Sequence, residues 1–314
     1  MRAIGVMEFG GPEQLRAVDA PEPHPGPGEV RIRVHAAAVN PTDLGFRAGM
    51  RRERQRDVPP PHVPGMDAAG VISEVGEGSP WTIGDEVMAV VVPTARPHGG
   101  AYADQVVVPA ESVVRIPAGA DFASASTLPM NGLTAWLALE MLALSAGQIL
   151  AVTGAAGAFG GYVVQLAKVA HLHVIADASE QDEPLVRNLG ADELVRRGND
   201  VADRIRGLVP QGVDGVADGA LLNGLVAPAI RDGGGLAVVR GWSGEPGRGI
   251  ALHQVGAVAQ VRNTAALDRL RQLAGDGFLA LRVARVLPAS QAAEAHRMLA
   301  AGGVRGRLVL DFSR

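Results

Sequence analysis

Residues 149–161 read Ile-Leu-Ala-Val-Thr-Gly-Ala-Ala-Gly-Ala-Phe-Gly-Gly, and this stretch restricts the chain more than any other part of its sequence. A β-prone run, Ile149–Thr153, enters a glycine-rich turn, and an apolar helical pattern follows over 157–170. The turn has the A-x-G-x-x-G spacing on Ala155, Gly157 and Gly160, with Gly154, Ala156, Ala158 and Phe159 between and before them. Gly157 lacks a Cβ, so a pyrophosphate can approach the backbone. Gly160 lets the helix pack close to the strand, and the helix N-terminus offers unpaired N–H groups and a positive dipole end. A glycine triplet is weak evidence alone. Between a strand and a helix, with a second strand after it, it points to a dinucleotide site.

The surroundings of this turn predict an α/β chain. After residue 121 strands and helices alternate: strands over 149–153, 173–176, 193–195, 215–218 and 236–240, helices over 123–128, 132–144, 157–170, 182–189, 201–208 and 222–230. That rhythm builds a doubly wound parallel sheet covered on both faces. Before residue 121 the chain is different. Turns at Gly10-Gly11-Pro12, Pro21 to Gly28 and Pro59-Pro60-Pro61 separate short β-rich runs at 29–38, 68–75, 86–92 and 102–109. Strands at this spacing predict a partial β-barrel. The tail returns to a mixed style, with helices over 265–274 and 290–301 and strands over 283–287 and 307–312. We therefore expect a β domain from 1–122 and 264–314, with the nucleotide domain of 123–263 inserted in it.

Composition removes several function classes. The chain has 314 residues, enough for two domains, and no cysteine. Disulfides, Fe–S clusters, thiol catalysis and cysteine-based zinc sites are thereby excluded. A net charge of −4 gives no overall attraction to nucleic acid or anionic membrane. The basic run at 51–56 reads as a solvated loop. No stretch has the apolar length of a membrane span or the pattern of a signal peptide, so a cytoplasmic location is expected.

The end of the strand after the turn bears on cofactor choice and gives two opposed signals. Asp177 is placed to bind ribose hydroxyls, as in sites for NAD. Ser179 is small enough to leave room for a 2′-phosphate. Glu180, Asp182 and Glu183 would repel that phosphate, while Arg196 and Arg197 would attract it.

Further landmarks lie along the whole chain: Ala38-Val39-Asn40-Pro41-Thr42-Asp43, Pro64-Gly65-Met66-Asp67-Ala68-Ala69-Gly70-Val71, Gly84-Asp85-Glu86-Val87, Gly132-Leu133-Thr134-Ala135-Trp136, Leu189-Gly190-Ala191-Asp192 and Gly306-Arg307-Leu308-Val309-Leu310. With these the chain resembles the zinc-independent quinone oxidoreductases, the zeta-crystallin-like family of the medium-chain dehydrogenase/reductase superfamily. The resemblance implies a GroES-like β domain and a Rossmann nucleotide domain. Zinc members of the superfamily carry a histidine where this chain has Met66 and a cysteine near Asn40, so no metal is expected. It also implies NADPH as cofactor, because Ser179 falls where NAD-specific relatives carry an aspartate and Arg197 falls beside the 2′-phosphate position.

By the same resemblance Asn40 and Thr134 contact the nicotinamide end and are the candidate catalytic residues. Val239, Arg240 and Gly241 hold the cofactor at a strand end, with Asp218 at another strand end beside it. Phe46, Met50, Met130, Asn131 and Trp242 are the expected substrate pocket. The activity implied is hydride transfer from NADPH to a small-molecule quinone or an activated enone. An enoyl or alkenal reductase of a biosynthetic pathway and a nucleotide-binding protein with little catalysis are the alternatives. Relatives pair edge strands, and the apolar stretch 249–261 predicts a homodimer.

Overall fold

The computed structural model describes residues 1–50 and 52–313; Arg51, which opens the basic run, and Arg314 lie outside the described residues. The chain divides into two compact units. One comprises Met1–Met130, Gln260–Gly275 and Leu281–Arg314, the other Asn131–Ala259 and Asp276–Ala280.

The first unit is built on a largely antiparallel sheet. Its strands lie in the order Val283–Pro288, Arg307–Asp311, Glu29–Ala38, Asp67–Val75, Glu86–Val90 and Val113–Arg115, with Gln105–Pro109 also paired to Glu29–Ala38. Val30, Ile32 and Val34 alternate inward along the central strand, as a sheet with one covered face requires, and pack with Ile72, Val87, Val106 and Leu308. A separate hairpin of Arg2–Gly5 and Arg16–Asp19 was not legible in the sequence, because four-residue strands are too short to display a period. The helix Pro41–Arg47 was also missed: seven residues starting at a proline carry no readable amphipathic pattern.

The second unit holds a six-stranded sheet in the order Glu193–Arg196, His173–Ala178, Ile149–Thr153, Val213–Asp218, Ile230–Val238 and Ala251–Gln254, parallel throughout. The chain starts in the middle at Ile149–Thr153, winds outward through His173–Ala178, then crosses to Val213–Asp218. The resulting switch point lies at the carboxyl end of Ile149–Thr153, where such sheets bind ligands. The expected β domain and doubly wound parallel sheet are therefore both present.

One expected helix is absent. Residues 222–230 form two short 3-10 turns, Asn223–Leu225 and Ala227–Ala229, before Ile230 enters a strand. Leu221 and Asn223 take positive φ, the Asn223 N–H is captured by Asp218 Oδ2 at 2.6 Å, and Pro228 has no N–H to give. The strand expected at 236–240 begins earlier, at Ile230, and stops at Val238, since Arg240 and Gly241 both turn to positive φ. No helix among the described residues is long and apolar enough to cross a membrane.

Candidate active site

In the nucleotide unit the glycine turn leads directly into the helix Ala158–Val169. Gly154 has φ +66°, and a Cβ at Gly160 would lie 2.4 Å from the Gly154 carbonyl oxygen, so both positions require glycine. Gly157 is the N-cap and supplies no side chain to the first N–H groups of this 12-residue helix. A Cβ there would meet only the Gly154 carbonyl oxygen, at 3.1 Å. A helix N-terminus without a side-chain cap fits a pyrophosphate.

Two carboxylates hold the turn from beneath. Asp177, at the end of His173–Ala178, accepts the Ala155 N–H at 3.0 Å and is only 5% exposed. Burial raises its pKa above the ordinary carboxylate range. The structure thus ties Asp177 to the backbone of the turn. Asp218 accepts the Thr153 hydroxyl at 2.6 Å and the Asn223 N–H. Thr153 entered the sequence reading only as the end of a strand; a hydroxyl at the last position of an otherwise apolar strand was the signal for its role.

The next strand end carries the groups expected at a 2′-phosphate. Arg196 pairs in register with Ala178, and the Arg197 N–H donates to the Ala178 carbonyl at 3.0 Å, so Arg197 leaves the sheet level with Ser179. Arg197 is exposed. Ser179 donates its hydroxyl to Asp182 Oδ2 at 2.5 Å, and Arg196 reaches Glu180 at 3.6 Å. Val239 is half-buried and Arg240 and Gly241 are exposed at the end of Ile230–Val238. Trp242 is half-buried in the apolar cluster of this unit; its backbone N–H donates to Gln254 Oε1 at 3.1 Å, and its ring stands over Gly224. Asn131 and Thr134 are half-buried on the helix Pro129–Leu142.

In the first unit Asn40 is part of a buried polar network. It caps the helix Pro41–Arg47 while Asp43 accepts the Asn40 N–H at 2.8 Å. The Asn40 amide donates to Asp67 Oδ2 at 2.6 Å and its oxygen accepts from Arg307. Asp67 also accepts the Met130 N–H at 2.6 Å. Asp43 accepts the Tyr102 hydroxyl at 3.2 Å, and that hydroxyl is 3.2 Å from His296 Nε2. Burial pushes Asp43 up to about 7 and Asp67 up to about 6, while it lowers His296 to about 3. Tyr102 has a single proton, and given to Asp43 it leaves the phenol oxygen facing His296 Nε2.

Asp67, His296 and Arg307 had been assigned no role. Asp67 and Arg307 each open a strand that holds another charged residue, and His296 shares its helix with Glu294 and Arg297, so no local pattern marks the three. Of the expected pocket residues, Phe46 and Met130 are buried, whereas Met50 is 82% exposed. Met66 is buried and accepts a contact from the Thr42 hydroxyl at 3.1 Å. Among the described residues no group of three His, Cys, Asp or Glu side chains comes together as a metal site.

Comparison with known proteins places this geometry among relatives. Residues 26–118 match the alcohol dehydrogenase GroES-like domain, and residues 189–310 match the zinc-binding dehydrogenase family. The quinone oxidoreductase of Sus scrofa is 30% identical over 99% of this chain and 97% of its own length. The match to the Lama guanicoe enzyme of the same name is 34% identical and shorter, covering 68% of this chain and 64% of that one. Among solved structures, an NAD-dependent alcohol dehydrogenase superimposes with a TM-score of 0.88 at 30% identity over the full length of both chains. The mycobacterial protein Rv1454c, solved with NADPH, superimposes with 0.84 at 27% identity over 99% of each chain.

Proposed function

Because the chain belongs to the quinone oxidoreductase family of the medium-chain dehydrogenase/reductase superfamily, we propose that it is a cytoplasmic, zinc-free reductase that uses NADPH to reduce a quinone or an activated carbon–carbon double bond. One observation carries the reading: a glycine turn leading into a helix N-terminus at the switch point of a parallel sheet, with Ser179 and Arg197 at the end of the neighbouring strand. NADPH, when bound, supplies the hydride. The chain's own residues bind and position. The N–H groups at the start of Ala158–Val169 receive the pyrophosphate, and Arg197 receives the 2′-phosphate. Thr134, half-buried on the helix Pro129–Leu142, orients the nicotinamide. The mycobacterial relative solved with NADPH supports this choice of cofactor.

Zinc independence rests on the donors. Met66 offers a thioether, and the Asn40 side chain is already committed to Asp67 and Arg307. Neither is a competent zinc ligand. In steady-state assays with a panel of quinones and enones, NADPH should be consumed with at least one acceptor, and a chelator should leave the rate unchanged. Tight NADPH binding without turnover on any acceptor would instead identify a nucleotide-binding protein. One zinc per purified chain would overturn the metal reading.

We also propose a homodimer built on the edge strand Ala251–Gln254. It pairs on one side with Ile230–Val238, and in the sheet order it is terminal. An uncovered edge is an invitation to pairing, which a two-fold partner satisfies in a closed way. Sedimentation at micromolar concentration should give twice the chain mass; a monomer there would refute the assembly.

A further inference from the structure

We propose that Asp182 and Glu180 mask the 2′-phosphate site and so set how strongly this chain distinguishes NADPH from NADH. The proposal rests on the cofactor reading above. It begins with the direction of one hydrogen bond. A serine hydroxyl has one proton, and Ser179 gives it to Asp182 Oδ2 at 2.5 Å. What Ser179 then presents to an incoming phosphate is oxygen lone pairs, which repel it.

The acceptor is not a loosely held surface acid. Asp182 is 6% exposed and is fixed by its own N–H, which donates to the Ser179 carbonyl at 2.9 Å. Solvent screens a buried carboxylate poorly, so its repulsion of a phosphate beside Ser179 persists at ordinary salt. Glu180 acts on the other half of the site. It holds Arg196 at 3.6 Å, on the strand end that also carries Arg197. One carboxylate therefore occupies the hydroxyl and the other occupies a guanidinium, while among the described residues no carboxylate lies within salt-bridge distance of Arg197. Asp177, another acid near this strand end, is bonded to the Ala155 N–H and feels the Arg197 charge without pairing with it.

The test is direct titration of NADPH and NADH against the full chain and the variants Asp182→Asn and Glu180→Gln. Asp182→Asn should tighten NADPH about tenfold, the worth of one charge-assisted hydrogen bond gained, with NADH changed less than about twofold. Glu180→Gln should tighten NADPH by a smaller factor, about two- to threefold, because the Glu180 side chain is 86% exposed and its pair is weak. Equal shifts for both dinucleotides, or no gain of NADPH affinity in a folded Asp182→Asn, would overturn the proposal. Should Asp182→Asn fail to fold, Glu180→Gln decides, since an exposed position tolerates the change: no gain there overturns the proposal. An unmodified chain that binds neither dinucleotide overturns the cofactor reading as well, an outcome distinct from failure of the masking alone.

Discussion

Asp43→Asn and His296→Gln are expected to tilt the pH dependence of unfolding in opposite directions. The folded Asp43 pKa, about 7, lies above its ordinary value of 3.8. Between those values the folded chain keeps a proton that the unfolded chain has lost, so this group makes stability fall as pH rises, from about pH 4 to about pH 7. The folded His296 pKa, about 3, lies below its ordinary 6.5. Over that interval the unfolded chain holds the extra proton, so this group makes stability rise with pH until about pH 6.5. In the unmodified chain the two contributions nearly cancel from about pH 4 to 6.5, since folding leaves both groups neutral and unfolding ionises both. Removing either exposes the other. Relative to the unmodified chain, Asp43→Asn should gain about 1.4 kcal/mol per pH unit as pH rises, and His296→Gln should lose about as much, roughly 3 kcal/mol across the interval. Urea unfolding at pH 4.5, 5.5 and 6.5 measures both slopes. Parallel curves for all three proteins would show that Asp43 and His296 do not titrate against each other in the folded chain.

Arg197→Ala is expected to weaken NADPH by roughly 1.5–3 kcal/mol, about ten- to a hundredfold, and to leave NADH almost unchanged. The backbone of Arg197 is held by the Ala178 carbonyl, so the substitution removes the guanidinium without disturbing the strand end. Salt should erode the effect, because the residue is exposed. Binding titrations with the two dinucleotides check it. Equal weakening of both would mean that Arg197 does not meet the 2′-phosphate. A preference of the unmodified chain for NADH would move the cofactor assignment from NADPH to NADH.

Much of the fold was legible in the sequence. A period of two along Glu29–Ala38, an apolar run from Ile149 to Val152 ahead of a glycine turn and the alternation of strands with helices are local patterns. Burial imposes them residue by residue, so they survive without knowledge of the partners. The turn itself was legible for the same reason at Gly160, where a Cβ would meet the backbone of Gly154 and Ala155, whereas the close backbone at Gly154 belongs to Gly219 and Ala220. The helix expected at 222–230 failed on the backbone itself: Leu221 and Asn223 take positive φ, and Pro228 has no N–H to give.

The candidate site divides along the same line. Which residues reach the carboxyl ends of the strands follows from sequence, because strand order and length place Asp177, Ser179, Arg197 and Asp218 there. What each carboxylate does at that edge was decided only by tertiary structure. Asp177 and Asp182 lie five residues apart, and one accepts the Ala155 N–H while the other accepts the Ser179 hydroxyl. The Asp43–Tyr102–His296 chain spans 253 residues of sequence, from 43 to 296, and no local pattern connects its members. A hydrogen bond is specific in direction and short in range, so its partner is chosen by the packing that brings two groups within about 3 Å, and sequence alone carries the groups but not their meeting.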